Sequence, residues 1–248
     1  MIGLKVHANP RFSSNPRMVA ALPDMGNVAG IGLGYLAKKL DAKLYAEIYS
    51  YWPPYVTYTD GVIDYSQSSY KFYHVEGSDL LIFTGDFSPT DPRRLYEICY
   101  EVLRMAERTG AKTVYSIGAA LRQANASSPA ETRVYAVASR HEMLADVEKC
   151  GAIVLQGEGQ VTGFNGLVLG LAKERGLDAI CLLGEIDNPN IIQPKTAQLV
   201  LQVLLKALGI APPGMYELDE EEKRKKFMEQ QMNYFEKVIE RGEPPGIA

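Results

Sequence analysis

Short apolar runs alternate along the chain with longer segments of helical spacing, an order that predicts an α/β fold with helices on both faces of the sheet. Met18 to Leu22 reads as a buried strand, the following PDMGN as a turn, and Val28 to Leu40 as a helix. Further strand patterns stand at Lys43 to Tyr49, Asp79 to Phe83, Thr113 to Ile117, Val134 to Ala138, Ala152 to Leu155 and Ala179 to Leu183. Helical spacing fills the gaps at Pro92 to Arg108, His141 to Lys149, Asn165 to Arg175 and Thr196 to Leu208. VTYTDGVIDYS carries β-rich arms around Asp60-Gly61, a dipeptide that favours a tight hairpin turn. The expectation is therefore an open, twisted, mixed and mostly parallel sheet with an antiparallel insertion.

The pattern changes at Ala211-Pro212-Pro213-Gly214, which cannot continue a helix. Four segments follow from this break: a core over 1–210, a linker over 211–216, an amphipathic helix over 217–241 and a flexible tail over 242–248. In the last helix Asp219 to Glu222 stand four residues before Lys223 to Lys226, the orientation in which each pair adds ~0.2–0.5 kcal/mol to an isolated helix. Its second half differs. Met228, Met232, Phe235 and Ile239, flanked by Phe227, Tyr234 and Val238, form a broad apolar stripe that must be covered. Two covers stay open: the protein itself, through its own core or a neighbouring copy, or the groove of a partner.

With 248 residues, 46% hydrophobic and 23% charged, the chain has the composition of a folded globular protein rather than a disordered one. A net charge of -4 and no basic stripe argue against a nucleic-acid partner. No run approaches the ~18 apolar residues that span a bilayer, and the N-terminus lacks the apolar core of a signal peptide, so the expected location is cytoplasmic. Cys99, Cys150 and Cys181 lie far apart and read as free, buried thiols. His7, His74 and His141 are scattered without metal-ligand spacing, and no cofactor or metal is expected.

Two glycine-bearing turns, each placed between a strand and a helix, are the candidate sites. Helix N-termini attract anions, but neither turn carries the Lys and Ser/Thr of a P-loop, and GEGQVTG misplaces its glycines for a dinucleotide fingerprint. Gly26, Gly30 and Gly34 recur at i, i+4 and i+8, and Gly163, Gly166 and Gly170 at i, i+3 and i+7, so each set is expected to line a helix face that packs closely. Ser116, Ser127 and Ser128 lack the surroundings of a nucleophile. Glu158 and Glu185 follow strands, where α/β proteins often place functional groups. Gly26, Asn27, Gly157, Glu158, Gly159, Gly163, Asn165 and Glu185 are thus candidates for a small ligand or an interface.

The ordered motifs Leu22-Pro23-Asp24-Met25-Gly26-Asn27-Val28, Gly157-Glu158-Gly159, Thr162-Gly163-Phe164-Asn165-Gly166-Leu167 and Cys181-Leu182-Leu183-Gly184-Glu185 resemble the proteasome assembly chaperone 2 family over Val19 to Leu208. Asp24 and Ala29 stand where that family commonly has glycine. The resemblance implies a fold similar to the nucleoside phosphorylases, a homo-oligomer, and a non-enzymatic role with proteasome α subunits or another assembly factor as partners. The hydrophobic-Tyr-X ending of some archaeal relatives is replaced by Gly246-Ile247-Ala248. The rival reading is a nucleoside-phosphorylase-like or ATP-grasp-type enzyme, or a small-molecule binder, using the glycine-rich turns.

Overall fold

The computed structural model describes residues 2–12, 15–50, 56–64, 68–122 and 132–226. Eleven strands appear in chain order: β1 (Ile2–Val6), β2 (Arg17–Ala20), β3 (Lys43–Ser50), β4 (Thr57–Thr59), β5 (Val62–Asp64), β6 (Ser68–His74), β7 (Leu80–Gly85), β8 (Thr113–Leu121), β9 (Val134–Ala138), β10 (Ile153–Val154) and β11 (Asp178–Ile186). The helices are α1 (Val28–Lys39), α2 (Pro92–Thr109), α3 (Leu144–Lys149), α4 (Gly163–Glu174) and α5 (Pro194–Ala207). A final helix occupies residues 216–226.

Nine strands form one mixed sheet in the order β1-β3-β6-β7-β2-β8-β11-β9-β10. Its centre, β7-β2-β8-β11, is parallel, whereas β1, β3 and β6 add antiparallel neighbours on one side. On the other side β9 runs antiparallel to β11 and parallel to β10. The expected antiparallel insertion is a separate hairpin of β4 and β5. Asp60 and Gly61 both have positive φ there, 49° and 79°, the turn whose twist suits a two-residue hairpin.

Side-chain alternation divides the core into two layers, because successive strand residues point to opposite faces. Val19, Leu80, Ile82 and Ile117 face α1, α3 and α5, while Met18, Ala20, Leu81, Phe83 and Val114 face α2 and α4. α2 shows why such a segment is a helix. Ile98, Cys99, Val102, Leu103, Met105 and Ala106 form its buried stripe. Asp91 caps its start, accepting a 2.8 Å bond from the Arg93 N–H, and Gly110 closes its end with a φ of 79°. Cys99 and Cys181 are buried and Cys150 half-buried, all three as free thiols.

The start of the last helix lies on the core. Met215 and Leu218 join the layer of α1 and α5. Tyr35 Oη donates to the carbonyl of Gly214 at 2.5 Å and to Glu217, which also pairs with Lys39. Lys225 Nζ donates to Gln193 Oε1 at 2.9 Å, and Glu222 accepts from the Lys195 N–H at 3.3 Å. The acidic run thus serves tertiary contacts as well as the expected helix pair of Glu222 and Lys226, 3.8 Å apart, while Lys223 pairs with Glu220 at 2.8 Å and Asp219 with Lys195 at 3.7 Å. Phe227, Met228, Met232, Tyr234, Phe235, Val238 and Ile239 lie outside the described residues.

Candidate functional site

A cleft of about 670 Å³ opens beyond the carboxyl ends of the central strands, where open α/β sheets characteristically bind ligands. Asp24 after β2, Gly118 to Leu121 at the end of β8, Leu183 on β11, the loop from Leu155 to Thr162 and the first residues of α4 line it. The sequence-selected Gly157, Glu158, Gly159, Gly163 and Asn165 therefore converge on one site. Gly157 and Gly163 have φ of 79° and 70°, conformations that suit glycine.

Asn165 turns inward. Its Oδ1 accepts the Leu22 N–H at 2.9 Å and its Nδ2 donates to the Leu22 carbonyl at 3.1 Å, pinning the start of α4 to the end of β2. Phe164 beside it is buried, its ring 5.4 Å from that of Phe83. One residue on, Gly166 accommodates the returning loop: a Cβ there would lie 1.8 Å from the Val161 carbonyl oxygen. A Gly166→Ala variant should therefore lose about 2–4 kcal/mol, since the clash is with backbone and cannot be relieved by a rotamer change. Chemical denaturation of the variant measures this loss.

Asp24 occupies the inner end of the cleft. Its Oδ1 accepts the Ala29 N–H at 2.9 Å, capping α1. Burial pushes its carboxyl up from 3.8 to about 6, against the opposing pull of backbone N–H groups led by that of Ala29. Among the described residues Asp24 has no ion pair. A Cβ on Gly118 would stand 3.1 Å from Asp24 Oδ2, so this glycine keeps the space beside the carboxyl clear. Sequence reasoning passes over Asp24 as a site, although it follows a strand as Glu158 and Glu185 do.

The remaining candidates have other surroundings. Gly26 adopts a φ of 63° and bonds the loop before α5 twice, donating to Pro189 O and accepting from Gln193 N, both at 2.8 Å. A Cβ at Gly26 would meet Gln193 Cγ at 2.6 Å. Asn27 is left-handed at φ 52°, and its buried Oδ1 has no hydrogen-bond partner among the described residues. Glu185 is buried outside the cleft lining, accepting from Arg122 Nη2 at 3.2 Å and Tyr135 Oη at 3.3 Å. It ties the ends of β8, β9 and β11 together.

The expected glycine faces need correction. Gly34 and Gly170 are exposed, with no described neighbour within 4 Å of where a Cβ would stand, and Gly26 precedes α1 in a 3₁₀ turn. Close approach does hold at Gly26, Gly30 and Gly166, where a Cβ would run into Gln193, Asn27 and the Val161 carbonyl, and it extends to Gly32, where a Cβ would meet Ile117 at 3.0 Å and Leu201 at 3.7 Å as α1 crosses α5. Periodicity identifies glycines on a common face but not which of them has a neighbour.

PbaB of Pyrococcus furiosus, described as an archaeal proteasome activator, is 27% identical, with a TM-score of 0.78 over 95% of this chain and 98% of that one. PbaA of the same organism, described as an archaeal homolog of proteasome-assembly chaperone, shares the fold at a TM-score of 0.73 and 24% identity, over 97% of each chain. An uncharacterized protein of Methanocaldococcus jannaschii, MJ1210, is 26% identical over 227 residues, covering 90% of this chain and 83% of that protein. The sequence model described as PAC2 family matches residues 18–233, past Leu208 and into the last helix. The sheet, the motifs at its carboxyl edge and a match over most of the length agree: the chain belongs to the PAC2 family.

Proposed function

We propose that the protein is a non-enzymatic, cytoplasmic homo-oligomer that assists proteasome assembly by binding proteasome α subunits or another assembly factor. The likeness to PbaB over 95% of the chain carries this reading. The contact assigned to the partner is the apolar stripe of Phe227, Met228, Met232, Tyr234, Phe235, Val238 and Ile239, whose Met and aromatic content suits an adaptable helix surface. The anchoring of residues 214–225 on α1 and α5 supports it by giving that segment a fixed origin. The fold similarity to nucleoside phosphorylases belongs to the same proposal and carries no activity with it. An enzymatic use of the glycine-rich turns is less favoured, because Asn165 and Glu185 are both engaged in internal bonds.

Immobilised full-length protein is expected to retain recombinant proteasome α subunits. Deleting residues 227–248 should weaken retention by about ten-fold or more, the loss of a few hot-spot side chains. Circular dichroism and melting temperature should change little, because the described anchoring contacts remain. Failure of the full-length chain to retain α subunits would overturn the proteasome reading.

A further inference from the structure

We propose that the cleft beside Asp24 binds a small molecule that carries a protonated amine next to an apolar group. Its volume of about 670 Å³ lies in the range of small-molecule sites. Asp24 at the inner end and Glu158 in the loop are its charged lining residues; among the described residues no Lys, Arg or His lines it. The side-chain charge therefore favours a cation over a phosphate.

The position of Asp24 strengthens this assignment. A carboxylate removed from water without a cation is costly, and an ammonium at hydrogen-bond distance offsets that cost with a charge-assisted bond. Gly118 leaves room beside Oδ2 for such a group. Asn165, a buried polar side chain of the lining, has its amide committed to Leu22 and is not available for recognition. Around this polar end Met25, Leu121 and Leu155 are 45%, 52% and 42% exposed while lining the cleft, and they offer the walls that an apolar substituent would cover. The cleft and the last helix are separate parts of the chain, so ligand binding and partner binding are tested separately.

The test is a melting-temperature measurement on the full-length chain with leucinamide and phenethylamine at ~10 mM, since a ligand bound only to the native state must raise its stability. At least one amine is expected to raise the melting temperature, while N-acetylleucinamide, which lacks the charge, does not. Asp24→Asn keeps an acceptor for the Ala29 N–H and should abolish the response; circular dichroism confirms that the variant is folded. Glu158→Gln should reduce it. Absence of a shift with both amines, an equal shift with the acetylated compound, or a shift that survives Asp24→Asn each overturns the proposal. So does a response to inorganic phosphate alone, the ligand that the start of α4, uncapped by the Thr162 side chain, would select by itself.

Discussion

Replacing Asn165 by Ala should lower stability by about 3 kcal/mol, read as a fall of roughly 6–12 °C in melting temperature for a chain of this size. The expected loss is larger than that of one ordinary hydrogen bond because the variant strands two buried backbone groups at once. Leu22 is fully buried, and both its N–H and its carbonyl are served by the Asn165 amide. Removing one partner from a buried polar group leaves its desolvation unrepaid, at about 1–3 kcal/mol per group. The damage also reaches the cleft, because this amide joins the strand that leads to Asp24 with the helix that forms the opposite wall. A loss below about 1 kcal/mol in urea denaturation would show that water enters and replaces the amide.

Asp24→Asn should act in the opposite direction. The folded-state value of about 6 lies above the ordinary 3.8, so the native state binds this proton more tightly than the unfolded chain does. The stabilising contribution is complete below about pH 4 and is lost as pH rises through 6. At about 1.36 kcal/mol per pH unit, the difference amounts to an order of 3 kcal/mol of stability missing from the wild type at pH 8. The amide carries no charge to desolvate. The variant should therefore exceed the wild type by about 1–3 kcal/mol at pH 8 and match it near pH 4, with the difference between the two curves isolating this one group. Equal stability at pH 8 would show that the carboxylate is already compensated in the free protein. A residue that costs stability while facing a cleft fits the usual trade between a functional site and the fold around it.

How far such a site can be read from sequence depends on whether its signal is local. Val134 to Ala138 is recovered with the observed limits of β9, because both its apolar pattern and its flanks are local. β1 is absent from the strand patterns although Ile2, Leu4 and Val6 alternate with Gly3 and Lys5; it is an edge strand paired with β3, and its residues after Ile2 are exposed. β6 is absent from the strand patterns although Tyr70 and Phe72 alternate inward, a period-2 signal directly after the hairpin. The glycine turn at Gly157 to Gly163 is visible in the sequence, and so is Asn165 as a polar residue at its lip. That Asn165 bonds Leu22 is not visible, because the two are 143 residues apart and no local rule connects them. Asp24 becomes a site residue only once the fold places it beside Gly118 and Leu183, which local pattern cannot do.

The order of the central strands has a consequence for how the protein is made. β2 emerges first, but its neighbour β8 is completed at Leu121 and the next strand, β11, at Ile186. The apolar face of α1 waits longer still, for α5 and for Met215 and Leu218. Arg17 closes on the carbonyl of Leu208 across 191 residues. At synthesis rates of about 5–20 residues per second, the first helix would spend roughly 10–40 s on the ribosome before its cover exists. A nascent chain halted before α5 is thus expected to be sticky and protease-sensitive, and emergence of α5 with Met215 and Leu218 is the event that turns a half-covered sheet into a folded protein.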